Sequence, residues 1–242
     1  MSSAFITYAH RGASTYCPEN TAMSFYTGLY MGANGIETDV QLTKDGVPVL
    51  FHDDTLERVM GVKGRLADYT YQELCKFPIC HNGKVDYILT LEEFFKFFAK
   101  QEITFAIELK GANTEQAVAD LIRKYDIAEK CIATSFQFAY LEKMKALFPQ
   151  LRLGFLAAGG AIDDALLAKM KARSFYEICP RATDVTPEHV AYWHALGFNV
   201  RAWGVSNEEI MRAVYHSGAD GATVNFPDKM LAYIEKVRSA EE

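Results

Sequence analysis

Residues 10–20 read HRGASTYCPEN, between an apolar run, FITYAH (5–10), and an amphipathic one, NTAMSFYTGLYMGA (20–33). The first junction between a strand and a helix separates two kinds of α/β fold. An open, doubly wound sheet carries a glycine-rich phosphate turn at this point. Here a single glycine, Gly12, follows a histidine and an arginine. The stretch therefore favours the other solution, in which successive β/α units close into a barrel.

Downstream the alternation continues. Short β-rich runs occur at GIETDV (35–40), VPVLFH (47–52), ITFAIEL (103–109), CIATSF (131–136), LRLGFL (151–156), FYEIC (175–179), FNVRAWGV (198–205) and DGATVN (220–225). Amphipathic runs follow, among them TLEEFFKFFAKQ (90–101), AIDDALLAKMKA (161–172) and TPEHVAYWHALG (186–197). Counting gives about eight strand–helix units, which at 242 residues predicts a (β/α)8 TIM barrel in one domain, residues 1–242. The alternation breaks at about 53–88. That segment reads as an insertion after a strand, at the active-site end. Asn20 and Thr90 are plausible helix caps, and Pro187 suits a first helical turn. Leu91, Phe94, Phe95 and Phe98 form a core stripe that leaves Phe97 outside it.

Composition narrows the function. Net charge is −6, which does not suit a nucleic-acid-binding surface. No run reaches the length of a membrane-spanning helix, and the first residues do not resemble a signal peptide. The five cysteines, at 17, 75, 80, 131 and 179, are scattered without a CxxC pair. This points to reduced thiols and a cytoplasmic location. Cys75, Cys80 and His81 lack the fourth ligand and the spacing of a zinc site.

Barrel chemistry resides at the C-terminal ends of strands, and residues i and i+2 share a strand face. His10 and His52 end their runs. Glu37 with Asp39, and Glu108 with Lys110, are co-facial, and Trp203 lies near the end of its run. Three crowded carboxylates repel unless a cation joins them, and an all-oxygen set favours magnesium or calcium. The histidines then remain available for proton transfer, and Arg11 and Lys110 for an oxyanion such as a small-molecule phosphodiester. Gly12 would let the backbone turn close to the ligand. Arg201 shares a face with Trp203 and, if inward, needs a carboxylate partner. Pro18-Glu19-Asn20-Thr21 reads mainly as a helix entry.

The motifs AHRGAS...PENT, IETDVQLTKDGVPVLFHDDTLERV, YTYQEL, LTLEEF, IELK and GADGATVNFP resemble, in order and spacing, those of the glycerophosphodiester phosphodiesterases, from about Phe5 to Pro227. The resemblance implies a barrel with a small insertion after the second β/α unit. It implies one divalent cation, Mg2+ or Ca2+, on Glu37, Asp39 and Glu108, and acid–base work by His10 and His52. Arg11 and Lys110 would bind phosphate, and Trp203 would line the alcohol pocket. The implied reaction releases sn-glycerol 3-phosphate and an alcohol, through attack by a neighbouring glycerol hydroxyl and a cyclic phosphate. Two positions depart from the family pattern, Gly204 after Trp203 and Asn225 before Phe226-Pro227. Both bear on substrate fit. A lipid-directed phospholipase D-type enzyme and a non-catalytic phospho-ligand-binding barrel are the competing readings.

Overall fold

Strand β1 (Ile6–His10) pairs in parallel with β2 (Gly35–Leu42) on one side and with β11 (Gly221–Val224) on the other, and those two pairings close the barrel. The computed structural model describes residues 5–159 and 162–241. The remaining staves are β6 (Thr104–Leu109), β7 (Cys131–Ser135), β8 (Arg152–Leu156), β9 (Glu177–Cys179) and β10 (Asn199–Val205), each parallel to the next. The run 47–52 is not a stave. Its strand, β3 (Pro48–Leu50), lies antiparallel against β2 and outside the wall.

Helices α1 (Ala22–Tyr30), α4 (Leu91–Phe98), α5 (Glu115–Lys124), α6 (Phe138–Leu147), α7 (Asp164–Ala172), α8 (Pro187–Ala195), α9 (Glu208–His216) and α10 (Pro227–Glu241) follow the eight staves in turn. The run expected as a helix over 161–172 begins its helix at Asp164, and Ala161 lies outside the described residues. On α4 a Thr90–Glu93 capping box satisfies the first turn, and Leu91, Phe94, Phe95 and Phe98 are wholly buried. Burial on this scale stabilises by roughly 1.5–3 kcal/mol per large side chain. Phe97 is 45% exposed, as its place off the stripe requires. The cap of α1 is Thr21 rather than Asn20, because Thr21 Oγ1 accepts from the Ser24 backbone N–H.

Residues 53–88 stand between β3 and α4, at the C-terminal end of the second stave. They contain α2 (Glu57–Met60), α3 (Tyr71–Leu74) and the hairpin β4 (Ile79–His81)–β5 (Lys84–Asp86). They share an apolar cluster with β3, in which Val49 and Phe51 pack with Leu56, Met60, Leu66, Leu74, Ile79 and Ile88. The insertion is thereby anchored to the strand that leads into His52.

Candidate active site

Strand register brings the polar residues together before any side chain is considered. His10 on β1 lies opposite Glu37 on β2, and Asp39 on β2 lies opposite Glu108 on β6. His10, Asp39 and Glu108 belong to the C-terminal halves of their staves, and Glu37 lies two residues before Asp39 on the same face of β2.

His10 donates from Nδ1 to Asn225 Oδ1 at 2.5 Å, since a carbonyl oxygen can only accept. This fixes the tautomer and leaves Nε2 unprotonated, 3.7 Å from Glu37 Oε2. Burial, and then the Arg11 charge, push the imidazole down to about 4. Arg11 takes a positive φ of 54°, unusual for a residue with a Cβ, and its backbone N–H donates to the Glu37 carbonyl at 2.9 Å. Its Nη1 donates to Glu19 Oε1 at 2.9 Å. Its Nε lies 3.2 Å from Asp39 Oδ2, an ion pair in which the N–H is not aimed at the oxygen. Gly12 is required by the fold. Its φ is +83°, and a Cβ there would meet Ser24 backbone atoms at 2.4 Å.

Glu37, Asp39 and Glu108 are all buried and offer oxygens within 4.8 Å of one another. The consequences follow from electrostatics. Burial, with repulsion from Asp39 and Glu108, pushes Glu37 well above the usual carboxylate range. Burial, with Asp39, pushes Glu108 up to about 7. Burial pushes Asp39 upward too, but Arg11, His52 and Lys110 hold it low. Asp39 Oδ2 accepts from Asn20 Nδ2 at 2.9 Å, whereas the buried Oδ1 has no hydrogen-bond partner. An unpartnered, buried, ionised oxygen beside two frustrated carboxyls fits a hard divalent cation.

His52 faces the triad from beyond the end of β3. Its Nδ1 donates to Asp53 Oδ1 at 2.6 Å, so Nε2 carries the lone pair and accepts from Lys110 Nζ at 2.9 Å. Lys110 also donates to Glu108 Oε1 at 3.1 Å. Gln41 Nε2 reaches the carbonyls of Phe51, His52 and Asp53 at 2.9–3.1 Å and ties this loop to β2. The two imidazoles are thus held in the same way, through Nδ1, and both turn Nε2 inward.

The pocket between them encloses about 780 Å³, part of it open to solvent. Trp203 and Phe136 form an apolar wall, edge to face at 5.1 Å, and the Trp203 indole N–H donates to the Ala157 carbonyl at 3.1 Å. Arg201 does point inward and finds its carboxylate. It donates from Nε to Glu177 Oε2 at 3.0 Å and from Nη1 to Thr223 Oγ1 at 2.7 Å.

All eight residues singled out by sequence meet here: His10, Arg11, Glu37, His52, Glu108, Lys110 and Trp203 line the pocket, and Asp39 lies beneath it. Sequence reasoning passed over four others. Asn20, expected as a cap, orients Asp39. Glu19 holds Arg11. Asn225, assigned only to substrate fit, holds His10. Arg58 on α2 donates to both Glu19 and Asp53. The pair of polar residues in PENT, beside His-Arg, was the signal available for the first two. His81 meets the Thr15 carbonyl, and among the described residues the triad is the one candidate metal cluster found.

A closed barrel whose C-terminal rim carries three buried acids, two imidazoles and two cations defines a phosphoester-handling class of protein. The sequence is specific enough to go further: residues 10–229 match the glycerophosphoryl diester phosphodiesterase family, and the chain belongs to it. A glycerophosphodiester phosphodiesterase of Caldanaerobacter subterraneus is 32% identical over 94% of this chain and 97% of its own length. One of Bacillus altitudinis is 31% identical over 96% and 98%. An Oleispira antarctica phosphodiesterase, solved with its product sn-glycerol 3-phosphate, superposes with a TM-score of 0.86 at 25% identity, over 95% of this chain and 96% of that one.

Proposed function

We propose that this chain hydrolyses glycerophosphodiesters to sn-glycerol 3-phosphate and an alcohol, with one divalent cation, magnesium or calcium, held by Glu37, Asp39 and Glu108. The observation that carries the reading is the pair of unprotonated Nε2 atoms, on His10 and His52, turned into a pocket that also holds the buried acid triad. The family match and the activity named for the relatives support it. The product bound by the Oleispira antarctica enzyme supports the glycerol 3-phosphate half.

In this reading the cation, when bound, supplies positive charge against a phosphoryl oxygen. Arg11 and Lys110 hold the other non-bridging phosphoryl oxygen. One imidazole takes the proton of the attacking glycerol hydroxyl at Nε2; the other, which first takes up a proton from solvent at Nε2, delivers that proton to the leaving alcohol oxygen. Water then opens the cyclic phosphate with the two roles exchanged. Trp203 and Phe136 cover the apolar face of the substrate and exclude water. Five free thiols, with Cys80 exposed, support a reducing, cytoplasmic setting. Residues 1–242 are read as one domain of this type, with 53–88 as its insertion.

The test is a coupled assay for released glycerol 3-phosphate. Chelator-stripped protein receives glycerophosphocholine or glycerophosphoethanolamine with magnesium, calcium or manganese in turn. Metal-dependent release is expected, abolished in His10→Ala and His52→Ala. Absence of release from either substrate with every metal would overturn the reading.

A further inference from the structure

Arg58 stands outside the pocket, on α2 of the insertion, with its side chain 51% exposed. It nevertheless donates four hydrogen bonds in two forks. Nε and Nη2 meet Asp53 Oδ2 and Oδ1 at 2.6 and 2.9 Å. Nη1 and Nη2 meet Glu19 Oε2 and Oε1 at 2.7 and 2.8 Å. Each carboxylate already serves a pocket residue: Glu19 Oε1 accepts from Arg11, and Asp53 Oδ1 accepts from His52. The bonds therefore run without a break from Arg11 through Glu19, Arg58 and Asp53 to His52 and Lys110.

We propose that Arg58 is a positioning residue that sets the distance between Arg11 and His52, and that the insertion acts on the reaction through it. Glu19 belongs to the loop after β1, and Asp53 follows β3. A planar guanidinium bonded to both carboxylates fixes their separation and orientation together. Asp53 in turn keeps the proton of His52 on Nδ1 and its lone pair on Nε2. With Arg58 half exposed, its ion pairs stabilise the fold only modestly, and what four bonds in two forks add is a fixed placement of the two carboxylates. Lysine could not replace it, because one ammonium cannot fill two forks.

The inference rests on the proposed roles of Arg11 and His52, so its test has a readout free of turnover. Arg58→Ala and Arg58→Lys are compared with the parent in the full chain. Three quantities are followed: glycerophosphocholine turnover, thermal unfolding, and the His52 Nδ1–H proton resonance of the metal-free protein, assigned by its loss in His52→Gln. Both variants are expected to unfold within a few degrees of the parent. Both should lose about 10- to 100-fold in kcat with a smaller change in KM, and both should shift or broaden the His52 resonance. Added guanidinium should restore part of the kcat of Arg58→Ala and none of that of Arg58→Lys. An unshifted resonance in Arg58→Ala, or parental kcat in Arg58→Lys, overturns the proposal. If the parent releases no glycerol 3-phosphate, the functional reading falls and the resonance alone decides the role of Arg58. If Arg58→Ala does not fold, Arg58→Lys decides by the same criteria.

Discussion

Asn20 Nδ2 donates to Asp39 Oδ2 at 2.9 Å, while Asn20 Oδ1 accepts from Thr38 Oγ1 at 2.8 Å. One amide, itself at a φ of +57°, is thus clamped by β2 and in turn fixes which Asp39 oxygen faces the triad. Asn20→Ala frees Asp39 to rotate. A partner of a metal-binding carboxylate is typically worth 10- to 100-fold in affinity. Calorimetric titration of magnesium or calcium should show weakening of about that size in a folded protein. Parental affinity would remove Asn20 from the site.

Gly12 tests the backbone rather than the chemistry. A Cβ there would lie 2.4 Å from Ser24 backbone atoms, which cannot swing aside, and the φ of +83° is strained for any other residue. Gly12→Ala should lose about 3 kcal/mol or more in urea unfolding, from strain and overpacking together. A loss under about 1 kcal/mol would mean that the β1–α1 loop can relax.

Acid should loosen the chain linking Arg11 to His52. Burial pushes Glu19 up, but Arg58 and Arg11 hold it down to about 2, and Arg58 holds Asp53 down to about 2 as well. Both folded values lie below the unfolded ones, near 4. Their stabilisation is therefore complete above about pH 5 and is lost as pH falls toward 2. Urea midpoints measured between pH 7 and pH 3 should fall, and fall less steeply in Glu19→Gln. Parallel slopes in parent and variant would contradict this.

Helix α4 offers a paired control. Phe94 is buried among Phe25, Phe95, Phe98 and Phe105, whereas Phe97 is 45% exposed. Phe94→Ala should cost about 3–5 kcal/mol. Phe97→Ser should stay within about 1 kcal/mol by the same denaturation measurement.

How much of this was legible depended on whether a residue's role is set by its neighbours in sequence. Glu37 with Asp39, and Glu108 with Lys110, follow from strand alternation alone, and that local period carries into space unchanged. The α4 stripe and its cap are equally local. Asn20 is different. Its partner lies 19 residues away on another element, and no periodicity reports that. The same holds for Asn225, 215 residues from His10, and for Arg58, whose one-turn helix has no pattern of its own. The run 47–52 reads as a strand and is one, but only closure of the barrel reveals that it stands outside the wall. Arg201 was legible as a question, and Glu177 on the neighbouring stave answers it.

That outlying strand has a consequence for heat. His52 is carried not by a stave but by β3 and the loop Gln41 gathers; Leu50 of that run packs in the barrel core, whereas Val49 and Phe51 pack in the small apolar cluster of the insertion. The two cores need not melt together. If the smaller cluster loosens first, warming frees the imidazole while the eight staves stay closed, and activity is then expected to be lost at a lower temperature than the one at which the barrel unfolds.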